Sequence, residues 1–371
     1  MRLSGKKVLF LTNYPAPYRV DFFNELGKRV QLTVVFEENI EEQSHRNSKW
    51  FDTNYSNFQV VFLNARKIKN QTISLKIIDI LKEKYDSIII GVYSTLTAQI
   101  AILYLRAKKI PFSIETDGGI AKNGDGIKEK WKKFLISSAA NYFSPSEMSD
   151  VYLKHYGAKQ NEIIRYPFSS LKTQDLLSSV IDFKAKRVIR QKLEMTEKNI
   201  VLTVGQFIPR KGNDVLIRAA KYVPDSVGIY FVGGEATTEY TDLVNQLALK
   251  NIHFVGFKTK KELKEYYLAA DLFVMPTRED IWGLVINEAL SNGLPVLSTD
   301  KCVAALELVK PGYNGEIIES DYAEKMGKTI TLLFEKPDIM RKMAENAIVD
   351  IGNHTIEKMV EAHVHYFERQ E

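Results

Sequence analysis

The chain has 371 residues, 45% of them hydrophobic and 26% charged. That balance excludes a disordered or collagen-like chain, and the length calls for two domains, since one core rarely grows past about 250–300 residues. The single cysteine, Cys302, excludes an internal disulfide and fits a reducing cytoplasm, and no apolar run approaches the roughly 18 residues of a membrane span. The N-terminal MRLSGKKVLFLTNYP has an apolar run too short for a signal peptide. The net charge of +5 hides an asymmetry: residues 1–180 carry 26 Lys+Arg against 18 Asp+Glu, and the remainder carries 25 against 28. The basic half suits an anionic surface, either phospholipid or a lipid-linked diphosphate. Nucleic acid is not expected, because zinc-finger spacing, RNP-like aromatic motifs and Arg-rich runs are missing.

In chain order, KKVLFLTN, VQLTVVFE, FQVVFLN, YDSIIIGVYS and PFSIETDGG read as short strands, most of them separated by segments of helical periodicity such as RVDFFNELGKR and TLTAQIAILYLRAKK. NYFSPS and EIIRYPF close the first half near Phe168. A linker leading into helix follows, and NIVLTVGQF, GIYFVGG, IHFVGF, DLFVMPT and PVLST then repeat the pattern. Strands alternating with helices predict parallel sheets wrapped by helices. The expected architecture is α/β, with two Rossmann-like domains facing a cleft. An acceptor domain is assigned to residues 1–172, a nucleotide-sugar domain to 173–350, and residues 351–371 to a helix packing back toward the first domain.

Two stretches carry the chemistry. In VGQFIPRKGNDVLIRAAK, Gly205 ends a strand, Asn213 is a candidate N-cap, and Arg210 and Lys211 stand just ahead of the positive end of a helix. An anion there removes the electrostatic conflict; two solvated cations on a loop are the alternative. In TREDIWGLVINEALSNGLPVLSTD, the backbone N–H groups of Gly283, Leu284 and Val285 open a helix and form an anion-binding place. Glu288, eight residues after Asp280, can accept hydrogen bonds from a vicinal diol such as a ribose. The plainer alternative is an Asp that offsets the helix dipole and a solvated Glu.

These two motifs, with GIYFVGG, IHFVGF and AADLFVMPT between them and ELVKPGYNG after, resemble the nucleotide-sugar half of family-4 retaining glycosyltransferases of the GT-B fold. The likeness is strong over about residues 200–320 and rests on general layout before that. It implies that Arg210, Lys211 and the backbone of Gly283 and Leu284 hold a donor diphosphate. Glu288 would hold the ribose, Asp280 would contact the transferred sugar, and Phe257 would lie beside the base. Asp280 replaces the family's usual Glu, which leaves the neighbouring Glu279 as a rival. Gln206 stands where many members have an arginine, and NYPAPYRVDFF replaces the usual paired-glycine loop. Arg19 in that segment is either a phosphate contact or a surface cation on the first helix.

None of the six histidines, His45, His155, His253, His354, His363 and His365, matches the family's first-domain histidine in context. Asp117, at the end of a strand in ETDGG, is the catalytic candidate there; the alternative is an Asp that starts a Gly-rich turn. No Asp-x-Asp or metal-ligand cluster occurs, so neither a metal nor another cofactor is expected. The segment GIKEKWKKFLISSAANYF sets Lys128, Lys130, Lys132 and Lys133 beside Trp131 and Phe134, a pattern that fits a membrane-surface helix or an ordinary surface helix.

The resemblance thus implies a monomeric, cytoplasmic enzyme, peripheral on the inner face of the membrane. It would move a sugar from a nucleotide-diphosphate sugar, with UDP favoured, to a saccharide or lipid-linked saccharide in capsule or other surface-polysaccharide synthesis. The rival readings are a nucleotide-sugar epimerase of the same fold and a non-catalytic nucleotide-sugar-binding protein.

Overall fold

The computed structural model describes residues 5–38, 54–68, 71–121, 124 and 126–370; His45 lies outside them. The chain divides into two units, one of Met1–Ser170 with Thr355–Glu371, the other of Leu171–His354.

The first unit holds β1 (Lys7–Thr12), β2 (Gln31–Phe36), β3 (Gln59–Phe62), the hairpin strands β4 (Arg66–Ile68) and β5 (Gln71–Ile73), β6 (Ser87–Ile90), β7 (Ser113–Glu115), β8 (Asn141–Ser144) and β9 (Ile163–Arg165). Seven of these form a sheet in the order β3-β2-β1-β6-β7-β8-β9, and every pairing is parallel. In β1 the five residues from Val8 to Thr12 are all buried, as expected for a parallel strand covered by helices on both faces. Helix Pro17–Gly27 begins on a proline and buries Val20, Phe22, Phe23 and Leu26. Phe23 meets Phe10 of β1 edge-on, with ring centroids 4.8 Å apart.

Helix Ile356–Glu368 belongs to this unit, although the whole second unit precedes it in the chain. The Thr355 hydroxyl caps it, accepting from the Lys358 N–H at 3.3 Å. Its buried face carries Met359, Val360, His363, Val364, Tyr366 and Phe367. The Tyr366 hydroxyl lies 2.9 Å from the Ser113 hydroxyl of β7 and accepts from the Asn141 amide of β8 at 3.0 Å.

The second unit holds β10 (Asn199–Val204), β11 (Val227–Val232), β12 (Ile252–Val255), β13 (Leu272–Met275), β14 (Val296–Thr299) and β15 (Gly315–Ile318). They form a parallel sheet in the order β12-β11-β10-β13-β14-β15. In each unit the order runs outward from the unit's first strand and then reverses to its other side, the doubly wound arrangement. The reversal falls between β1 and β6 in the first unit and between β10 and β13 in the second. The sequence reading had passed over three strands, β4, β5 and β15. The first two are three residues each, and β15 lacks the long apolar run that identified the others.

One buried carboxyl in the first unit has no cation beside it among the described residues. Glu37, just past β2, is fully buried and accepts from the Thr72 hydroxyl and, at 2.5 Å, from the Thr95 hydroxyl. Burial pushes its carboxyl up to about 7 from 4.5, against the pull of the two threonines. Because the folded state holds this proton more tightly, stability falls as pH rises from about 4.5 to about 7 and stays reduced above that, by on the order of 3 kcal/mol. Glu37→Gln should therefore raise the melting temperature at pH 8 and flatten its decline between pH 5 and 7. A variant that melts lower at pH 8 would refute this account.

Candidate functional site

In the second unit the two sequence motifs meet at the carboxyl ends of β10 and β13, the strands flanking the point where the sheet order reverses. Ligands of doubly wound sheets bind there. Gly205 follows β10, and the turn Pro209–Lys211 leads to Gly212 and the helix Asn213–Ala219. Gly212 has φ 66°, and a Cβ on it would lie 2.0 Å from the Pro276 carbonyl oxygen. Only glycine lets the turn press against the end of β13 in this way. The helix is capped by Gly212, which corrects the assignment of Asn213; that residue is the first of the helix, and its amide donates to the Gln206 carbonyl at 3.3 Å.

Arg278, which sequence reasoning did not single out, ties the turn to the loop after β13. Its guanidinium forks onto Asp214 at 2.8 and 2.7 Å, donates to the Pro209 carbonyl at 2.7 Å, and reaches Asp321 at 2.6 Å. The hydrogen bonds it donates to Asp214 hold its proton well above the ordinary arginine range, against partial desolvation. The Arg210 carbonyl in turn accepts from the Arg278 N–H at 2.8 Å and the Thr277 hydroxyl at 2.9 Å. Arg210 and Lys211 are thus set beside Asp280 by backbone contacts from both sides.

Asp280 is buried, and its Oδ2 accepts from Lys211 Nζ at 2.5 Å. Arg210 Nη1 stands 3.8 Å from the same oxygen and donates to the Glu279 carbonyl at 3.2 Å. Asp280 therefore fills the place beside the cations that an anion would take, whereas Glu279 is exposed. Gly283 caps the helix Leu284–Ser291 with φ 106°, and a Cβ on it would meet Cys302 Sγ at 2.9 Å. Burial, with Asp280 adding to it, pushes that thiol up to about 12. Among the described residues, none accepts a hydrogen bond from the N–H of Gly283, Leu284 or Val285. Glu288, one turn further on and half-buried, accepts from the Tyr267 hydroxyl at 2.9 Å. Tyr267 was not foreseen. Phe257, in the loop after β12, keeps 37% of its surface exposed.

In the first unit Arg19 is not a surface cation on the first helix, the second of its two readings. It is buried at 3% exposure and forks between two carboxylates, Nη1 donating to Glu115 Oε1 and Nη2 to Asp117 Oδ1. Asp117 also accepts from the Tyr18 hydroxyl at 3.1 Å. Glu115 accepts on its other oxygen from the ring of His363, at 2.7 Å. Burial drives Glu115 upward, but Arg19 and then His363 outweigh it and hold the carboxyl down at about 2. For Asp117 desolvation outweighs the pull of Arg19 and raises it. Glu115 and His363 were missed because one is the inward-facing residue of a strand and the other comes from a helix 248 positions later. Among the described residues, no group of three His, Cys, Asp or Glu is placed to hold a metal.

Residues 185–350 match the profile of the family described as "Glycosyl transferases group 1". The second unit is a glycosyl transferases group 1 domain. One relative of the chain is the N,N'-diacetylbacillosaminyl-diphospho-undecaprenol alpha-1,3-N-acetylgalactosaminyltransferase of Campylobacter jejuni, 21% identical over 67% of this chain and 68% of that one. Another is the lipopolysaccharide glucosyltransferase WaaG of Escherichia coli, 29% identical over 44% of this chain and 45% of WaaG. Among solved structures, Anabaena HepE in complex with UDP superposes with a TM-score of 0.78 at 16% identity, covering 98% of this chain and all of that one, at 100%. The WaaG structure gives 0.72 at 18%, covering 97% and 99%. These likenesses establish two Rossmann-like domains of the GT-B type.

The Arg278 fork gives the second unit a testable dependence. Arg278→Met keeps the aliphatic stem and frees the turn, and should lower stability by about 1–2 kcal/mol. Thermal unfolding measures it; an unchanged melting temperature would mean that the turn is held without the clamp.

Proposed function

We propose that the chain is a retaining glycosyltransferase that moves a sugar from a UDP-sugar to a saccharide or lipid-linked saccharide acceptor in surface-polysaccharide assembly. The observation that carries this is the Lys211–Asp280 pair at 2.5 Å, together with the N–H groups that open helix Leu284–Ser291, which have no acceptor among the described residues. Two cations and a helix start converge where an anion belongs, and an internal carboxylate holds the place.

An entering diphosphate competes with Asp280 for Lys211 and Arg210 and takes the N–H groups of Gly283 to Val285 as further donors. As the bond from sugar to phosphate breaks, these groups stabilise the charge growing on the leaving diphosphate. Asp280, released from Lys211, turns to the transferred sugar, and Glu288 accepts from the ribose hydroxyls. The acceptor hydroxyl, for which Asp117 is the proposed partner, attacks the face the diphosphate leaves and gives its proton to the departing phosphate oxygen. The two side-chain cations and the helix start supply the positive charge that a metal would otherwise bring, so the reaction runs without one. UDP is favoured by the Anabaena structure with UDP, and a lipid-linked acceptor by the names of the Campylobacter and Escherichia relatives.

A thermal-shift panel of UDP, GDP, ADP and dTDP, in EDTA and then in magnesium, tests the donor reading. UDP should raise the melting temperature equally in both, because a ligand bound only by the native state stabilises it by mass action. Glu288→Ala should remove most of that shift and nearly abolish transfer. A shift that requires magnesium would end the metal-free mechanism, and full affinity and turnover in the variant would end the assignment of Glu288.

Helix Ile127–Ile136 supports a membrane contact. Ile127, Trp131 and Phe134 are 88%, 42% and 37% exposed, and their spacing of four and three places them on one face. Trp131 and Phe134 stack at 5.4 Å, and Lys128, Lys130 and Lys133 are exposed around them. Among the described residues no helix is long and apolar enough to cross a membrane, so this contact is peripheral. The protein should co-sediment with phosphatidylglycerol vesicles and much less with phosphatidylcholine, and Ile127→Ser with Trp131→Ser should release it. Equal recovery of the double variant and the wild type would refute the contact.

A further inference from the structure

We propose that His363 is a doubly protonated imidazolium in the folded protein and a positioning residue for Asp117, holding Glu115 so that Arg19 is left to Asp117. The positioning half rests on the reading of Asp117 as the group that meets the acceptor.

The ring nitrogens settle the charge. Nδ1 lies 2.8 Å from the backbone carbonyl oxygen of Met359, one turn back on its own helix, and Nε2 lies 2.7 Å from Glu115 Oε2. A carbonyl only accepts. Glu115, wholly buried with the Arg19 guanidinium on its other oxygen, is ionised and also only accepts. A neutral imidazole has one N–H and would set a bare nitrogen against one of these oxygens. The rest of the ring's surroundings are aromatic: Phe143 of β8 stacks on it at 4.3 Å and 3°, Phe22 of helix Pro17–Gly27 packs at 4.9 Å, and Tyr166 beyond β9 at 5.4 Å. The Tyr166 hydroxyl is turned away, donating to the Thr116 carbonyl at 2.8 Å. A cation suits the face of an aromatic ring.

The charge count then closes, with Arg19 and His363 against Glu115 and Asp117. With a neutral ring, a single guanidinium would be divided between two carboxylates, one of them wholly buried. With the imidazolium on Glu115, the pull of Arg19 is available to Asp117, and the Tyr18 hydroxyl fixes the second carboxylate oxygen. Asp117 alone in this set has an open side, its side chain 30% exposed against 4% for Arg19 and none for Glu115 and His363. The buried members set the charge and direction of the one that faces outward.

Nitrogen-15 NMR of the ring-labelled full chain at pH 8, where an ordinary imidazole is neutral, reads the charge directly. His363, assigned by its loss in His363→Gln, should show both ring nitrogens protonated; a single protonated nitrogen overturns the proposal. In kinetics His363→Gln should lower kcat about tenfold with the donor KM unchanged. Glu115→Gln combined with His363→Gln removes one charge of each sign and should restore most of that loss. A double variant no better than the single one, with melting curves showing both folded, would reduce His363 to a packing residue. Full kcat in Asp117→Asn would retire the acceptor-side reading and the positioning role with it, while the NMR result would still stand or fall on its own.

Discussion

A parallel sheet delivers the carboxyl ends of all its strands to one edge, and the two large sheets of this protein are wholly parallel. The functional groups have no other place to collect. In the second unit this constraint is sharpened by contact at atomic distance: the turn after β10 lies against the carbonyl of Pro276 because residue 212 has no side chain, and Arg278 locks the two segments by a fork onto Asp214. The positions of Arg210, Lys211 and Asp280 follow from that contact.

Charge is answered locally in both units, in different ways. In the second unit the pair Lys211–Asp280 is partly open, and its members can exchange partners when a stronger anion arrives. In the first unit the set Arg19, Glu115, Asp117 and His363 is mostly closed, and exchanging a partner there would leave a charge buried alone, a far costlier state. The first arrangement suits a place where a ligand enters and leaves, the second a place where one group must keep its direction. Glu37 shows a third solution: a carboxyl with hydroxyl donors and, among the described residues, no cation keeps its proton to a higher pH.

Much of the second unit was legible from sequence because its signals are local. Apolar runs ending in glycine or proline mark β10 and β13, and the residues after them, Arg210, Lys211, Gly283 and Glu288, are close enough in the chain to read as motifs. What escaped depends on contacts between distant segments. Arg278 looks like a solvated loop residue until Asp214 is seen opposite it, and Tyr267 looks like a core aromatic until its hydroxyl meets Glu288. Asn213 reads as a cap by type, yet the left-handed backbone at Gly212 takes that position. For Arg19 the sequence leaves a phosphate contact and a surface cation both open; its partners Glu115 and Asp117 come from the end of β7 and just past it, and the second partner of Glu115 comes from the last helix.

That last helix also governs the order in which the protein can be completed. Residues 171–354 are contiguous, so the second unit has all of its chain as soon as its final residue leaves the ribosome. The first unit is begun earlier but has to wait, because Tyr366 and Phe367 fill its core and His363 is the partner of Glu115. During synthesis the half made first is therefore the half finished last, and until then it exposes apolar surface of the kind that chaperones guard.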